Sequence, residues 1–164
     1  LKEEKLFFYL KFDVSYGIVL PYRSTVINMY NVFVYGSLKK GFGNHGLLSQ
    51  SEFLGEAETC DSRFKMVSLG SFPGVYDVGN DKIKGEIYAV DHYTLRNLDR
   101  LESEGSFYSR RKFSFKLSSG QTIESFIYIL LDDFGSSSND IANEGDEESS
   151  RLAFWAPTRK VEYI

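Results

Sequence analysis

Apolar and polar positions follow two different periods along this chain, and each change of period marks an element. From Tyr30 to Tyr35 the residues are apolar or β-branched almost without interruption, as in a strand covered on both faces. Gly36-Ser37-Leu38 ends that run, Lys39 to Asn44 reads as a Gly- and Lys-rich loop, and a short helical or irregular piece follows at His45 to Leu48. Strands are predicted at Arg63 to Val67, at Gly74 to Val78 and at Lys84 to Val90. Between Asp91 and Glu102 the period becomes helical, with Leu95, Leu98 and Leu101 as the apolar stripe and Asp91 as the N-cap. Alternation then returns in a hairpin, Tyr108 to Leu117 and Thr122 to Leu131, joined by Ser118-Ser119-Gly120. Its first arm sets Phe113, Phe115 and Leu117 on one face and Lys112, Ser114 and Lys116 on the other. The pattern predicts a compact α+β domain, a mixed sheet or small barrel-like sheet with few helices.

Outside that region the periodicity lapses. Residues 1–28 mix charges and aromatics with no sustained period, and are expected to be an N-terminal extension, a leader or non-native segment outside the fold. They fail as a secretory signal, because Glu3 and Glu4 occupy its start and Asp13 and Arg23 interrupt any apolar core. The domain proper is expected over 29–131. Residues 132–150 are rich in Ser, Asn and acids and read as a flexible acidic loop, and 151–164 as a C-terminal arm packing on the domain.

Composition narrows the class. With 14 Phe and 11 Tyr in 164 residues, one domain can bury a sizeable core. A net charge of −4 and a pI of about 5.3 argue against nucleic acid as a partner. One cysteine, Cys60, rules out an internal disulfide and suits a reducing compartment; with only His45 and His92 beside it, no zinc pattern can be assembled. No apolar run approaches the ~20 residues of a membrane-spanning helix. A cytoplasmic protein with no membrane partner is expected, and its oligomeric state is left open.

Glu102 is the most informative candidate for chemistry. On the helical wheel it falls between Leu98 and Leu95, inside the apolar stripe, while Arg96 and Arg100 point away. Burial there would raise its pKa toward the range useful for proton transfer; the alternative is a helix-end carboxylate paired with Arg110 or Arg111. Tyr35-Gly36-Ser37-Leu38 forms the second candidate, a strand end whose turn can leave successive N–H groups open to an anionic or carbonyl oxygen. Tyr108 could donate a hydrogen bond beside Glu102. Asp99 reads as a flanking polar residue, and Arg110-Arg111-Lys112 as a solvated basic face. The loop at Lys39-Lys40 lacks the spacing of a phosphate loop. Ser37 with His45 as its base is a weaker possibility, since nothing here forms a nucleophile elbow.

Taken in order, these residues resemble the γ-glutamylcyclotransferase-like superfamily, most closely its γ-glutamylamine cyclotransferase branch. The resemblance rests on Val32 to Gly41, Asn44-His45, Pro73-Gly74, Gly85 to Val90, Leu98-Asp99 with Glu102, and Tyr108 with Arg110. It implies that Gly36, Ser37 and Leu38 hold a γ-glutamyl group through backbone amides, with Tyr35 and Tyr108 in the binding site and Glu102 moving protons. The implied reaction closes the substrate's α-amine onto its γ-carbonyl, giving 5-oxoproline and a free amine or amino acid. It implies neither a metal nor an organic cofactor. The alternative is a non-catalytic small-molecule-binding or regulatory module built on the same pocket.

Overall fold

The computed structural model describes residues 3–6, 10–13, 18–21, 26–131 and 151–164. The loop expected over 132–150 lies outside the described residues, as do parts of the N-terminal extension. Eleven strands are described: β1 (Glu3–Leu6), β2 (Leu10–Asp13), β3 (Ile18–Pro21), β4 (Val26–Val34), β5 (Glu52–Thr59), β6 (Phe64–Ser68), β7 (Pro73–Asp91), β8 (Tyr108–Leu117), β9 (Thr122–Leu130), β10 (Leu152–Trp155) and β11 (Val161–Tyr163). One α-helix, α1 (His92–Leu101), and a short 3-10 turn at His45–Leu48 complete the described elements.

Nine of the strands share a mixed sheet that runs β1-β4-β9-β8-β5-β7-β10-β11, with β6 on β7. β4 also pairs antiparallel with β7, from Met29 opposite Asp91 to Val34 opposite Glu86. That pairing closes β4, β9, β8, β5 and β7 into a ring, so the sheet is a small barrel with extra strands at its margin. The expected α+β architecture is the one observed.

Closure explains the unbroken apolar run in β4. Phe33 and Tyr35 point into a core with Ile87, Phe115, Ile127 and Trp155, while Val32 and Val34 face a second core. That second core lies beneath α1, where Leu95 and Leu98 pack on Val90, Tyr128 and Leu130. Gly85 is required where β7 crosses β4, because a Cβ there would run into the Val34 carbonyl and the Phe33 ring.

Three features differ from the sequence expectation. β5 was not foreseen; it is a strand rich in acids, two of which, Glu56 and Glu58, meet lysines on β7. Glu58 pairs with Lys82 at 3.4 Å and Glu56 with Lys84 at 3.6 Å. The two segments expected at 74–78 and 84–90 are one continuous strand of 19 residues, β7. Its register against β6 jumps between Tyr76 and Asp81, and Gly79 (φ 151°) carries the irregularity where the sequence suggested a break. Leu101, expected in the buried stripe, is exposed because α1 ends there.

The ends of the chain also meet the sheet. β1 pairs antiparallel with β4, and β10 runs parallel to β7 and places Trp155 in the barrel core. None of the described helices is long and apolar enough to cross a membrane.

Candidate active site

Tyr35 to Leu38 leave the end of β4 and enter a turn closed by the Lys39 N–H on the Gly36 carbonyl, 3.0 Å. Asn44 braces it from the following loop: its backbone N–H donates to the Ser37 carbonyl at 3.0 Å and its side-chain Nδ2 to Ser37 Oγ at 2.9 Å. Lys39 Nζ, held to the Trp155 carbonyl at 2.8 Å, ties the loop to β10. Among the described residues, no hydrogen bond is donated by the backbone N–H groups of Gly36, Ser37 or Leu38. Gly36 is needed for packing, since a Cβ built on it would lie 2.7 Å from the Pro73 ring.

This turn forms one side of a cavity of about 340 Å³, and Glu102 contributes to its lining from another. Glu102 is the C-cap of α1, its N–H bonded to the Leu98 carbonyl. The reversal after it is made by Ser103 (φ 48°) and Gly105 (φ 84°), which turn the chain into β8. No hydrogen bond or ion pair among the described residues engages its carboxyl group. Burial pushes its pKa up to about 7, and the carbonyl end of the helix acts in the same direction.

The arginines that could have neutralised it are engaged elsewhere. Arg110 Nη1 donates to both oxygens of Asp99 at 2.7 Å, and Arg111 pairs with Asp77. Arg110 and Arg111 are thus ion-paired on a face that stays solvated at Arg111 and Lys112, and Asp99 anchors α1 to the hairpin of β8 and β9. Tyr128 reinforces that anchor, its hydroxyl donating to Asp99 Oδ1 at 2.7 Å.

Three tyrosines line the cavity, and each has its proton committed to a protein acceptor. Tyr35 donates to the Tyr128 carbonyl at 2.7 Å and Tyr108 to the Pro73 carbonyl at 2.9 Å, while Tyr128 donates to Asp99. Burial holds all three phenols well above their ordinary pKa, so they stay neutral. Tyr108 therefore does not aim its proton into the cavity as expected; it presents ring surface and a hydroxyl oxygen that can accept. Among the described residues, Glu102 is the one carboxyl group in the lining and the group there poised to titrate near neutrality.

Ser37 and His45 do not meet. The imidazole Nδ1 lies 3.0 Å from the Leu38 carbonyl, while Ser37 Oγ accepts from Asn44, so no base reaches the serine. The structure thus brings Tyr35, Gly36, Ser37, Leu38, Glu102 and Tyr108 together around one cavity. Tyr128 and Phe72 also line it without having been singled out in the sequence. The only local trace of Tyr128 is a hydroxyl within an otherwise apolar strand, and of Phe72 an aromatic side chain in a turn.

Comparison with known proteins places these features in a wider set. Residues 32–149 match the family described as gamma-glutamyl cyclotransferase, AIG2-like. A relative from Methanocaldococcus jannaschii, whose name gives γ-glutamylcyclotransferase as a provisional activity, is 42% identical over 108 residues, covering 63% of this chain and 87% of that one. A γ-glutamylcyclotransferase family protein of Escherichia coli K12 is 36% identical over 80 residues, covering 49% of this chain and 68% of its own. The crystal structure of an AIG2-like protein from Mus musculus superimposes with a TM-score of 0.57 at 31% identity, covering 62% of this chain and 76% of that one.

Proposed function

The chain belongs to the γ-glutamyl cyclotransferase, AIG2-like family, and on that premise we propose that it converts a γ-glutamyl amine or γ-glutamyl amino acid to 5-oxoproline. The observation that supports this reading most is the unpaired Glu102 carboxyl group, with a pKa of about 7, in the same cavity as three open backbone amides.

The chemistry follows from those parts. A free α-amine has a pKa of ~8, so much of it is protonated at neutral pH and cannot attack. Glu102 takes a proton from that amine as it adds to the γ-carbonyl. It then returns a proton to the departing nitrogen, which is too basic to leave as an anion. The amides of Gly36, Ser37 and Leu38 fix the substrate carboxylate or the developing oxyanion without side-chain reorganisation. Because nucleophile and electrophile belong to one molecule, holding it folded supplies much of the acceleration. Tyr35 and Tyr108 shape the cavity through their rings.

The test is 5-oxoproline release from a panel of γ-glutamyl amines and dipeptides by wild type and by Glu102→Gln. Release by wild type alone supports the reading. Silence from folded wild-type protein would overturn it in favour of a small-molecule-binding module.

A further inference from the structure

The turn that carries the open amides is held from outside the cavity by two charged side chains. Lys39 follows Leu38 directly, and its own N–H closes the turn on the Gly36 carbonyl at 3.0 Å. Its ammonium group is drawn against the barrel: Nζ donates to the Trp155 carbonyl at 2.8 Å and lies 5.0 Å from the centre of the Phe42 ring. Trp155 is buried in the core and belongs to β10, so the anchor point is well packed. Burial lowers the Lys39 pKa, and the Glu86 carboxylate acts in the opposite direction.

Glu86 holds the next residue. Its Oε2 accepts the Lys40 N–H at 2.9 Å and the Tyr88 hydroxyl at 2.9 Å. Glu86 also lies opposite Val34 in the pairing of β7 with β4. It therefore meets the chain on both sides of the turn, by backbone register before Tyr35 and by its side chain at Lys40. Among the described residues neither Lys39 nor Glu86 lines the cavity, so their effect on a bound molecule passes through the backbone between these anchors. A loop that must be ordered when a ligand arrives spends binding free energy on that ordering, and anchors that order it beforehand remove the cost.

We propose that Lys39 and Glu86 are positioning residues, which fix the peptide planes of Gly36, Ser37 and Leu38 so that the amides face the cavity before substrate enters. This rests on the cyclotransferase reaction proposed above. Substrate meets these amides on binding and keeps them through the reaction, so loosening the turn weakens ground state and transition state alike. The signature is a raised KM at nearly constant kcat. A purely structural role has another signature: a smaller folded fraction lowers the measured kcat and leaves KM where it was.

The test follows 5-oxoproline release by the full chain, on whichever γ-glutamyl amide of the panel wild type turns over fastest. Lys39→Met keeps the apolar stem and removes the donor, while Glu86→Ala removes the acceptor. Each is expected to raise KM about tenfold and to hold kcat within about threefold. Glu86→Gln keeps an acceptor for the Lys40 N–H and should retain a KM within about threefold of wild type. Unchanged KM in either folded variant, or a Glu86→Gln variant as impaired as Glu86→Ala, would overturn the positioning role while leaving the reaction standing. If thermal melting shows that Lys39→Met does not fold, the two Glu86 variants decide. Absence of 5-oxoproline from folded wild type across the panel would overturn the reaction, and the positioning role with it.

Discussion

Arg110 holds both carboxylate oxygens of Asp99 at 2.7 Å, and Glu102, one turn further along α1, has no cation of its own. The division of labour between these two acids keeps Glu102 protonatable near neutral pH. An arginine beside Glu102 would favour its ionised form and remove the acid that the proposed reaction requires for the leaving nitrogen.

Asp99→Asn should therefore release Arg110 toward Glu102. The acidic limb of the kcat/KM profile would move from about pH 7 toward lower pH. Loss of a charge-assisted clamp should also cost about 1–2 kcal/mol in chemical denaturation. A limb that stays in place in the variant argues against Arg110 as the group being kept away.

Glu102 should also make stability pH-dependent. Its folded pKa of about 7 lies above its ordinary value of 4.5, so the folded state binds the extra proton between those values. Stability contributed by the neutral form is complete below about pH 4.5 and is lost as pH rises through 7. Glu102→Gln should raise the Tm at pH 8 by a few degrees and leave it nearly unchanged at pH 4.5, while lowering turnover by about 10²–10⁴-fold. Thermal melts at the two pH values check the sign.

Gly36 and Pro73 form a steric pair. Gly36→Ala would force a Cβ to within 2.7 Å of the Pro73 ring, an overpacking expected to cost about 1–3 kcal/mol and to displace the amides beside it. Gly36→Ala combined with Pro73→Ala removes the clash and should recover part of both stability and kcat/KM. If the double variant is no better than Gly36→Ala alone, the glycine is needed for direct approach to the substrate rather than to admit Pro73.

Tyr108→Phe would leave the Pro73 carbonyl without its buried donor, at a cost of about 1–3 kcal/mol. Because that proton goes to the protein, the pH profile of turnover should keep the wild-type limb. A displaced limb would place the Tyr108 hydroxyl in the proton path.

What could be read from the sequence was what a local period encodes. The 3.6-residue repeat of α1 placed Glu102 inside the buried stripe, and two-residue alternation in β8 gave the hairpin and its inward face. β5 was illegible because its glutamates are matched by lysines on a strand more than twenty residues away. The barrel closure of β4 on β7 is a register between distant strands, which no local window encodes. Arg110 was a fair candidate partner for Glu102 by proximity in sequence, yet the fold gives it to Asp99. For the same reason the edge-on contact of Phe72 with Phe107 emerged only once the turn between β6 and β7 met the start of β8.

The most direct test of the central claim is the pH dependence of 5-oxoproline release from a γ-glutamyl amide, wild type beside Glu102→Gln, from pH 5 to 9. Wild type should show kcat/KM rising through a limb near pH 7, set by ionisation of Glu102, and the variant should lose both the limb and the activity. A folded variant that turns over at the wild-type rate with the same limb would show that Glu102 is not the proton carrier.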